Sequence, residues 1–357
     1  MAFQKAAGYG NLPNGNFSPV IYSKKVQAAF RKKTIVSDIS NSDYFGEIAN
    51  HGDTVRIIKE PEVTVAEYAR GAKVSPQDLD DEDFQLVIDK ANAYAFKLDD
   101  IEEAHSHVNF SQLASDRAAY RLADQFDQEV LGYFAGFKQS ALHSAADTAN
   151  DQVNGTKAVS TAGSNELLSS MQLKKGDFGT ITTASAGAHS IPIAARMPGA
   201  TAHATAHISP VMLFSRMSRL LDQQFVATDG RWLVIDPVMK EVLADEDSRF
   251  HNADWGQSGS LRAGNAPMQI CGFRVYCSNN LPSVGTGAAT SGTANQNSNY
   301  GVIVAGHDSA VATAEQINKT ESFRDQDSFG DVVRGLHLYG RKILRPEGLV
   351  NAKYNLA

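Results

Sequence analysis

The sequence predicts an α+β fold. Two stretches alternate apolar and polar residues with the period of a half-buried strand, and one long stretch repeats its apolar residues at helical spacing. Helical and strand-like segments are interleaved with no clean βαβαβ repeat. The chain has 357 residues, 42% of them hydrophobic, enough for two domains or one elaborated one with a sizeable core.

Residues 1–17 are rich in Gly and Asn and have little to bury, so they are expected to be an arm, loose unless something outside the subunit holds it. In "SPVIYSKKVQAAFRKK", Ser18 suits an N-cap and Pro19 the first helical position, which predicts a short helix to Lys33. Its Lys24, Lys25, Arg31, Lys32 and Lys33 form a basic cluster, read first as a solvated face.

Next come two ribbons. "GDTVRIIKEPEVTVAEYARG" (residues 52–71) and "FQLVIDKANAYAFKL" (residues 84–98) read as the arms of one long hairpin. In the second arm Phe84, Leu86, Ile88, Tyr94, Phe96 and Leu98 share one parity, and Gln85, Asp89 and Lys97 the other. The first arm alternates less, and Pro61 argues for an edge or a bend there. The tip between them carries Asp78, Asp80, Asp81, Glu82 and Asp83, which repel one another unless solvated or met by cations.

"FSQLASDRAAYRLADQFDQEVLGYFAGF" places Leu122, Phe126, Val130 and Phe134 four apart, with Phe110, Leu113 and Phe137 near the same stripe. A helix of about 25 residues, some 38 Å long, is expected. Arg117, Arg121, Asp124 and Asp127 are assigned to its polar faces. Residues 144–207 are rich in Ala, Ser, Thr and Gly, and predict only short strands or loops. Regularity returns with "SPVMLFSRMSRLLDQQF", capped by Ser209 with Pro210 at the first position. "RWLVIDP" is a buried strand, Asp236 and Pro237 open another helix, and "MQICGFRVYCSNNLP" is a strand ending in a turn. "SVGTGAATSGTANQNSN" is a loop, and "YGVIVAGHDSAVATA" and "FGDVVRGLHLYGRKILRPEGLV" bear further strands.

Composition and motifs argue against most catalytic and binding classes. The net charge of −7 attracts neither nucleic acid nor an anionic membrane. No apolar run reaches the roughly 18 residues of a membrane span, and the start lacks a signal-peptide pattern, so synthesis in the cytoplasm is expected. The two cysteines, Cys271 and Cys277, fall in one strand-like segment and are expected to be reduced thiols. No phosphate loop, dinucleotide fingerprint or nucleophile elbow is present, and the acidic tip lacks the spacing of a calcium loop. No enzyme and no cofactor are therefore expected. His203 and His207 are spaced i, i+4, but Pro198-Gly199 and Pro210 bracket them, which disfavours a shared helix; a metal-dependent enzyme built on them is the rival reading. His105 and His107 lack an evident third ligand. A third alternative is a binding module whose hairpin accepts a partner strand.

The succession of segments resembles the major capsid (coat) proteins of tailed bacteriophages, short-tailed phages in particular. "RWLVIDP" and the helix after it are similar to the core of that family's axial domain, and "ICGFRVYCSNNLP" to its strand-then-"SNNLP" segment. "GVIVAGHDSAVATA" and "FGDVVRGLHLYGRKILRPEGL" resemble its closing strands. The resemblance implies an N-terminal arm and short helix (1–52), an extended β-hairpin loop (53–98), and a peripheral domain with the spine helix and the Ser/Ala/Thr/Gly-rich region (99–207). An axial domain (208–316) and closing strands returning to the peripheral domain (317–357) follow. It implies a structural protein that self-assembles as hexamers and pentamers into an icosahedral shell around double-stranded phage DNA, contacted non-specifically. Scaffolding, portal and decoration proteins are the implied partners, with no membrane, and the location is the virion capsid, assembled in the bacterial cytoplasm. A protein nanocompartment shell of the same fold is the alternative. Lys59, Lys73 and Lys90 lie in the loop that some relatives crosslink, but nothing singles one out, and no crosslink is expected.

Elementary dimensions agree with an assembly reading. A compact chain of this length is about 50 Å across. One arm of 15 residues is about as long. A two-stranded ribbon is marginal alone, so its apolar face needs a support. A neighbouring subunit is expected to supply it through Phe84, Leu86, Ile88, Tyr94 and Phe96, with Asp80, Asp81 and Asp83 meeting the cluster at Lys24, Lys25, Arg31, Lys32 and Lys33. The total interface is expected to exceed the usual ~1,600 Å².

Overall fold

The computed structural model describes residues 34–43, 54–58, 63–65, 67–71, 73, 76–77, 83–99, 110–135, 167–179, 190–193, 207–244, 269–281, 300–325 and 329–356. The expected arm and first helix (1–33), Pro61, Asp78, residues 80–82, His105, His107 and His203 lie outside them.

In chain order the main elements are one helical turn α1 (Val36–Ile39), β1 (Thr54–Ile58), β2 (Asp83–Val87), β3 (Lys90–Asp99) and the long helix α2 (Phe110–Ala135). Then come β4 (Gln172–Leu173), β5 (Ser190–Ile193), α3 (Pro210–Gln223), β6 (Arg231–Ile235), α4 (Pro237–Leu243), β7 (Gln269–Ile270) and β8 (Phe273–Cys277). The chain closes with β9 (Tyr300–His307), β10 (Val311–Arg324), β11 (Gly330–Ile343) and β12 (Leu349–Leu356). The class is α+β, as the interleaving predicts.

A seven-stranded sheet runs β4-β12-β9-β6-β8-β7, with β5 also on β12. At its centre β6 is buried at all five positions, because both faces of the sheet are covered. Leu233 and Ile235 join Ile303, Ala305, Val350, Ala352 and Tyr354 in one cluster with Leu213, Phe214, Met217 and Leu221 of α3 and Met239, Val242 and Leu243 of α4. The alternate residues Trp232, Val234, Val302, Val304 and Leu349 form a second cluster with Val130, Leu131 and Phe134 of α2 and with Ile35, Val36 and Ile39. Each such side chain contributes about 1.5–3 kcal/mol when fully buried. The helix starts follow the local chemistry: Pro210 and Pro237 sit in the first turns, and the Asp236 carboxylate accepts from the Met239 amide at 3.0 Å. Ser209 takes the N-cap position of α3 without capping through its hydroxyl.

A second, three-stranded sheet is β10-β11-β3. Here the structure departs from the expected hairpin. Among the described residues only β1 and β2 pair as its two arms, Thr54 opposite Val87 through Ile58 opposite Asp83. From Lys90 onward the second arm pairs instead with β11 of its own chain, Tyr339 opposite Lys90 through Gly330 opposite Asp99. Alternation fixes which face of a strand is buried but not which strand it joins. The crossing between the two roles is made at Gly340, where an added Cβ would come within 2.4 Å of the Val87 carbonyl oxygen.

The closing residues are also divided. β10 and β11 form the long hairpin of the smaller sheet, whereas β12 returns to the larger one between β9 and the parallel β4 and β5. Parts of the Ala/Ser/Thr/Gly-rich region thus add short strands to the sheet built from residues 231–307.

The cysteine-bearing segment is not one strand. Cys271 (φ 49°) and Gly272 (φ 85°) make a two-residue turn between β7 and β8, both in the left-handed region that such tight hairpins require. The expectation of one strand-like segment is thus corrected, while both thiols are free and burial pushes both above their ordinary pKa.

Candidate assembly surfaces

The root of the hairpin arm is held by its own subunit. Leu86 is fully buried and Ile88 nearly so, in a cluster with Ala312, Ala314 and Leu344 on which Val55 and Ile57 also pack. Tyr94 and Phe96 are half-buried on one face of β3, their rings stacked at 6.1 Å, and the Tyr94 hydroxyl lies 3.3 Å from the Thr320 hydroxyl. The predicted parity is therefore observed, with Gln85, Asp89 and Lys97 on the exposed side. The support, however, is internal for Leu86 and Ile88 rather than a neighbour's. The backbone of Phe84 stands opposite Ile57. Asp83 is a strand residue whose exposed carboxylate pairs with Arg56 at 3.5 Å, a contact of little energetic weight in water. Asp80, Asp81, Lys24, Lys25, Arg31, Lys32 and Lys33 lie outside the described residues.

Farther out the arm loses internal support. Gln77 bonds back to Thr64 through its side-chain oxygen (3.3 Å) and amide (3.5 Å). Ile58 (75% exposed), Val63 (61%), Val65 (93%) and Tyr68 (62%) nevertheless present apolar surface to solvent. A second exposed apolar point, Phe329, caps the far end of the β10–β11 hairpin. Isolated apolar residues on a surface are ordinary, but here several fall close together in one segment.

Three buried polar nodes fix this framework. The Asp127 carboxylate accepts from the Ile35 amide (2.8 Å), the Val36 amide (2.9 Å) and the Asn280 side-chain amide (2.8 Å). One side chain so ties α2 to the segment carrying α1 and to the turn after β8. Burial pushes its pKa up, against the pull of these bonds. Asp124 is buried as well, its carboxylate accepting from Gln128 at 3.1 Å. The assignment of Asp124 and Asp127 to polar faces of the helix is thus corrected: both carboxylates are buried, Asp127 against donors from other segments and Asp124 beside Gln128 of its own helix. In the second node Glu129 accepts from the Tyr339 hydroxyl and from Arg341, and Phe126 meets Tyr339 edge-on at 4.9 Å, locking α2 onto β11. Burial, with the Glu129 charge beside it, raises the Tyr339 pKa. In the third, the Tyr354 hydroxyl donates to both oxygens of Asp236 (2.5 and 2.6 Å). Burial raises both pKa values. Sequence reasoning found Asp236 as a helix cap but had no signal for Asp127, Glu129 or Asn280 as partners, since each partner is distant in the chain.

Among the described residues no group of His, Cys, Asp and Glu is placed to hold a metal ion, and no helix is long and apolar enough to cross a membrane. A cavity of about 260 Å³ between α2 and the three-stranded sheet is lined by Leu122, Phe126, Glu315, His337 and neighbours.

No protein-family model and no curated protein sequence matches the chain. Solved structures do. One from Mycobacterium phage Che8 is 26% identical, with a TM-score of 0.66 over 96% of this chain and 98% of that one. The capsid structure of cyanophage P-SCSP1u is 19% identical, with a TM-score of 0.63 over 96% and 94% of the two chains. The mature capsid of bacteriophage PhiM1 gives 15% identity and a TM-score of 0.57 over 95% and 92%. Over 96% of its length, the chain has the fold of the major capsid proteins of tailed bacteriophages.

Proposed function

We propose that this chain is a structural coat protein whose copies join as hexamers and pentamers into an icosahedral shell enclosing phage DNA, in the virion, after assembly in the host cytoplasm. The observation that carries the reading is the outer arm. Its root is buried in its own subunit, while Ile58, Val63, Val65 and Tyr68 stand in solvent. A neighbouring copy supplies the missing surface, and the same contact repeated head-to-tail closes a ring. Covering these side chains drives assembly without catalysis.

The acidic residues Asp80, Asp81 and Asp83 are assigned to contact with a basic neighbour, such as Lys24, Lys25, Arg31, Lys32 and Lys33. Their charge reversal is expected to impair assembly, and normal shells from that variant would refute the pairing. The net charge of −7 suits an inner face that tolerates packaged DNA without holding it tightly. Scaffolding, portal and decoration proteins are the partners such a shell would take. The test is electron microscopy of the expressed protein: shells or capsomers support the reading, and a stable monomer at all concentrations and salts overturns it.

A further inference from the structure

The loop after α3 holds an aromatic residue in a position that makes sense only with a partner. Helix α3 ends in a tight reversal: the Val226 amide donates to the Leu221 carbonyl at 3.1 Å, and the Phe225 amide to the Asp222 carbonyl at 3.1 Å. This pair of bonds defines the Schellman stop, whose pivotal residue takes positive φ and is usually Gly or Asn. Here it is Phe225, at φ 58°. An aromatic residue at positive φ is sterically disfavoured. Phe225 is also 96% exposed, so its ring gains nothing from its own subunit. Backbone and solvent both select against Phe at this position.

The loop around it is rigid. The buried Arg231 side chain donates to the Val226 carbonyl (2.6 Å) and the Ala227 carbonyl (2.8 Å), and pairs with Asp222 at 2.7 Å. The His307 ring bonds the Asp229 carbonyl at 2.8 Å, and the Asp308 amide donates to the Gly230 carbonyl at 3.2 Å, clamping the loop to the turn between β9 and β10. Phe225 is thus a pre-positioned apolar knob, the kind of anchor that dominates interface energies because little ordering remains to be done on binding.

We infer that Phe225 is an assembly anchor that docks into a second copy of this chain. The inference rests on the coat-protein reading and deepens it by naming a contact outside the arm. The copy itself offers apolar surface: Met212, on the first turn of the same helix, is 53% exposed. It lies about 20 Å along α3 from the knob, at 1.5 Å per residue. A heterologous contact joins two different patches of the same chain, and a thioether accommodates an aromatic ring well.

The test compares full-length wild type with Phe225→Gly and Phe225→Asn, both suited to positive φ. The dissociated subunits are expected to melt at or above the wild-type temperature, because strain is relieved. Their critical concentration for particle formation, by sedimentation and electron microscopy, is expected to rise about tenfold or more, or 1.4 kcal/mol per subunit contact. Benzoylphenylalanine in place of Phe225, irradiated in wild-type-like particles, is expected to give covalent chain-to-chain dimers. Unchanged assembly of both variants overturns the inference, as do destabilised variant subunits, which would give Phe225 a folding role. Particles without chain-to-chain adducts also overturn it. Failure of wild type itself to form particles refutes the coat-protein reading first, so the two failures are distinguishable.

Discussion

Replacing Asp127 by Ala tests how the subunit is held together. The substitution strands the Ile35 and Val36 amides and the Asn280 side-chain amide, all within 2.9 Å of the lost oxygens and all buried. Hydrogen bonds to a charged group contribute about 1.5–3 kcal/mol each, offset in part by the desolvation the carboxylate no longer incurs, which leaves a net loss of about 3–5 kcal/mol. In urea unfolding of the dissociated subunit, the midpoint falls by about 1 M or more at an m-value near 3 kcal/mol/M. Asn280→Ala loses less, because one bond is removed, and the double variant falls short of the sum of the singles, since the two groups share that bond. The pH response adds a second reading. Burial raises the Asp127 pKa above its ordinary value near 3.8. An acid whose folded pKa is raised contributes stability that is full below the unfolded value and is lost as pH rises through the folded one. Asp127→Asn should remove that part of the decline as pH rises above about 4, leaving the share of Asp236, which has the same sign. An Asp127→Ala subunit with the wild-type urea midpoint would show that the node does not hold the N-terminal segment, and would refute the reasoning.

Three other expectations follow from named contacts. Ser at both Val63 and Val65 leaves the subunit's unfolding free energy unchanged within about 0.5 kcal/mol, since both side chains are exposed. The same variant is expected to lower particle yield by sedimentation; equal yield would mean that the outer arm is not an interface. Gly340→Ala places a methyl group against the Val87 carbonyl oxygen and destabilises the arm root by about 1–3 kcal/mol, seen as faster amide exchange in β2; unchanged exchange would contradict the crossing. Tyr354→Phe removes the donor to both Asp236 oxygens and costs about 1.5–3 kcal/mol near neutral pH. Because it raises the already raised Asp236 pKa further, its cost grows as pH rises from about 4, and a cost that shrank with pH would contradict the assignment.

Much of this architecture is legible in residue order. The parity of Leu86 and Ile88, the stripe at Val130 and Phe134, and the Asp236-Pro237 start of α4 each follow from local periodicity or capping, and each is observed. What escapes local reasoning is partnership. Lys90–Asp99 alternates as an arm of the hairpin would, yet it pairs with β11, a strand more than two hundred residues later. Leu349–Leu356 reads as one closing segment with its predecessors, yet it joins β9. Asp127 carries no mark that separates a solvated helix carboxylate from a buried one, because its donors belong to residues 35, 36 and 280. Cys271-Gly272 lacks the Asn-Gly or Asp-Gly signature that announces a tight hairpin. Phe225 is invisible for a related reason: helix pattern predicts where α3 stops, but not that an aromatic residue holds the left-handed pivot of the stop.

The central claim is that a second copy of the chain covers what the outer arm leaves bare, and a high-resolution electron-microscopy map of assembled particles tests it most directly. The account predicts density from a neighbouring copy in van der Waals contact with Ile58, Val63, Val65 and Tyr68, in every hexamer and pentamer. Particles in which these four side chains still face solvent would contradict it.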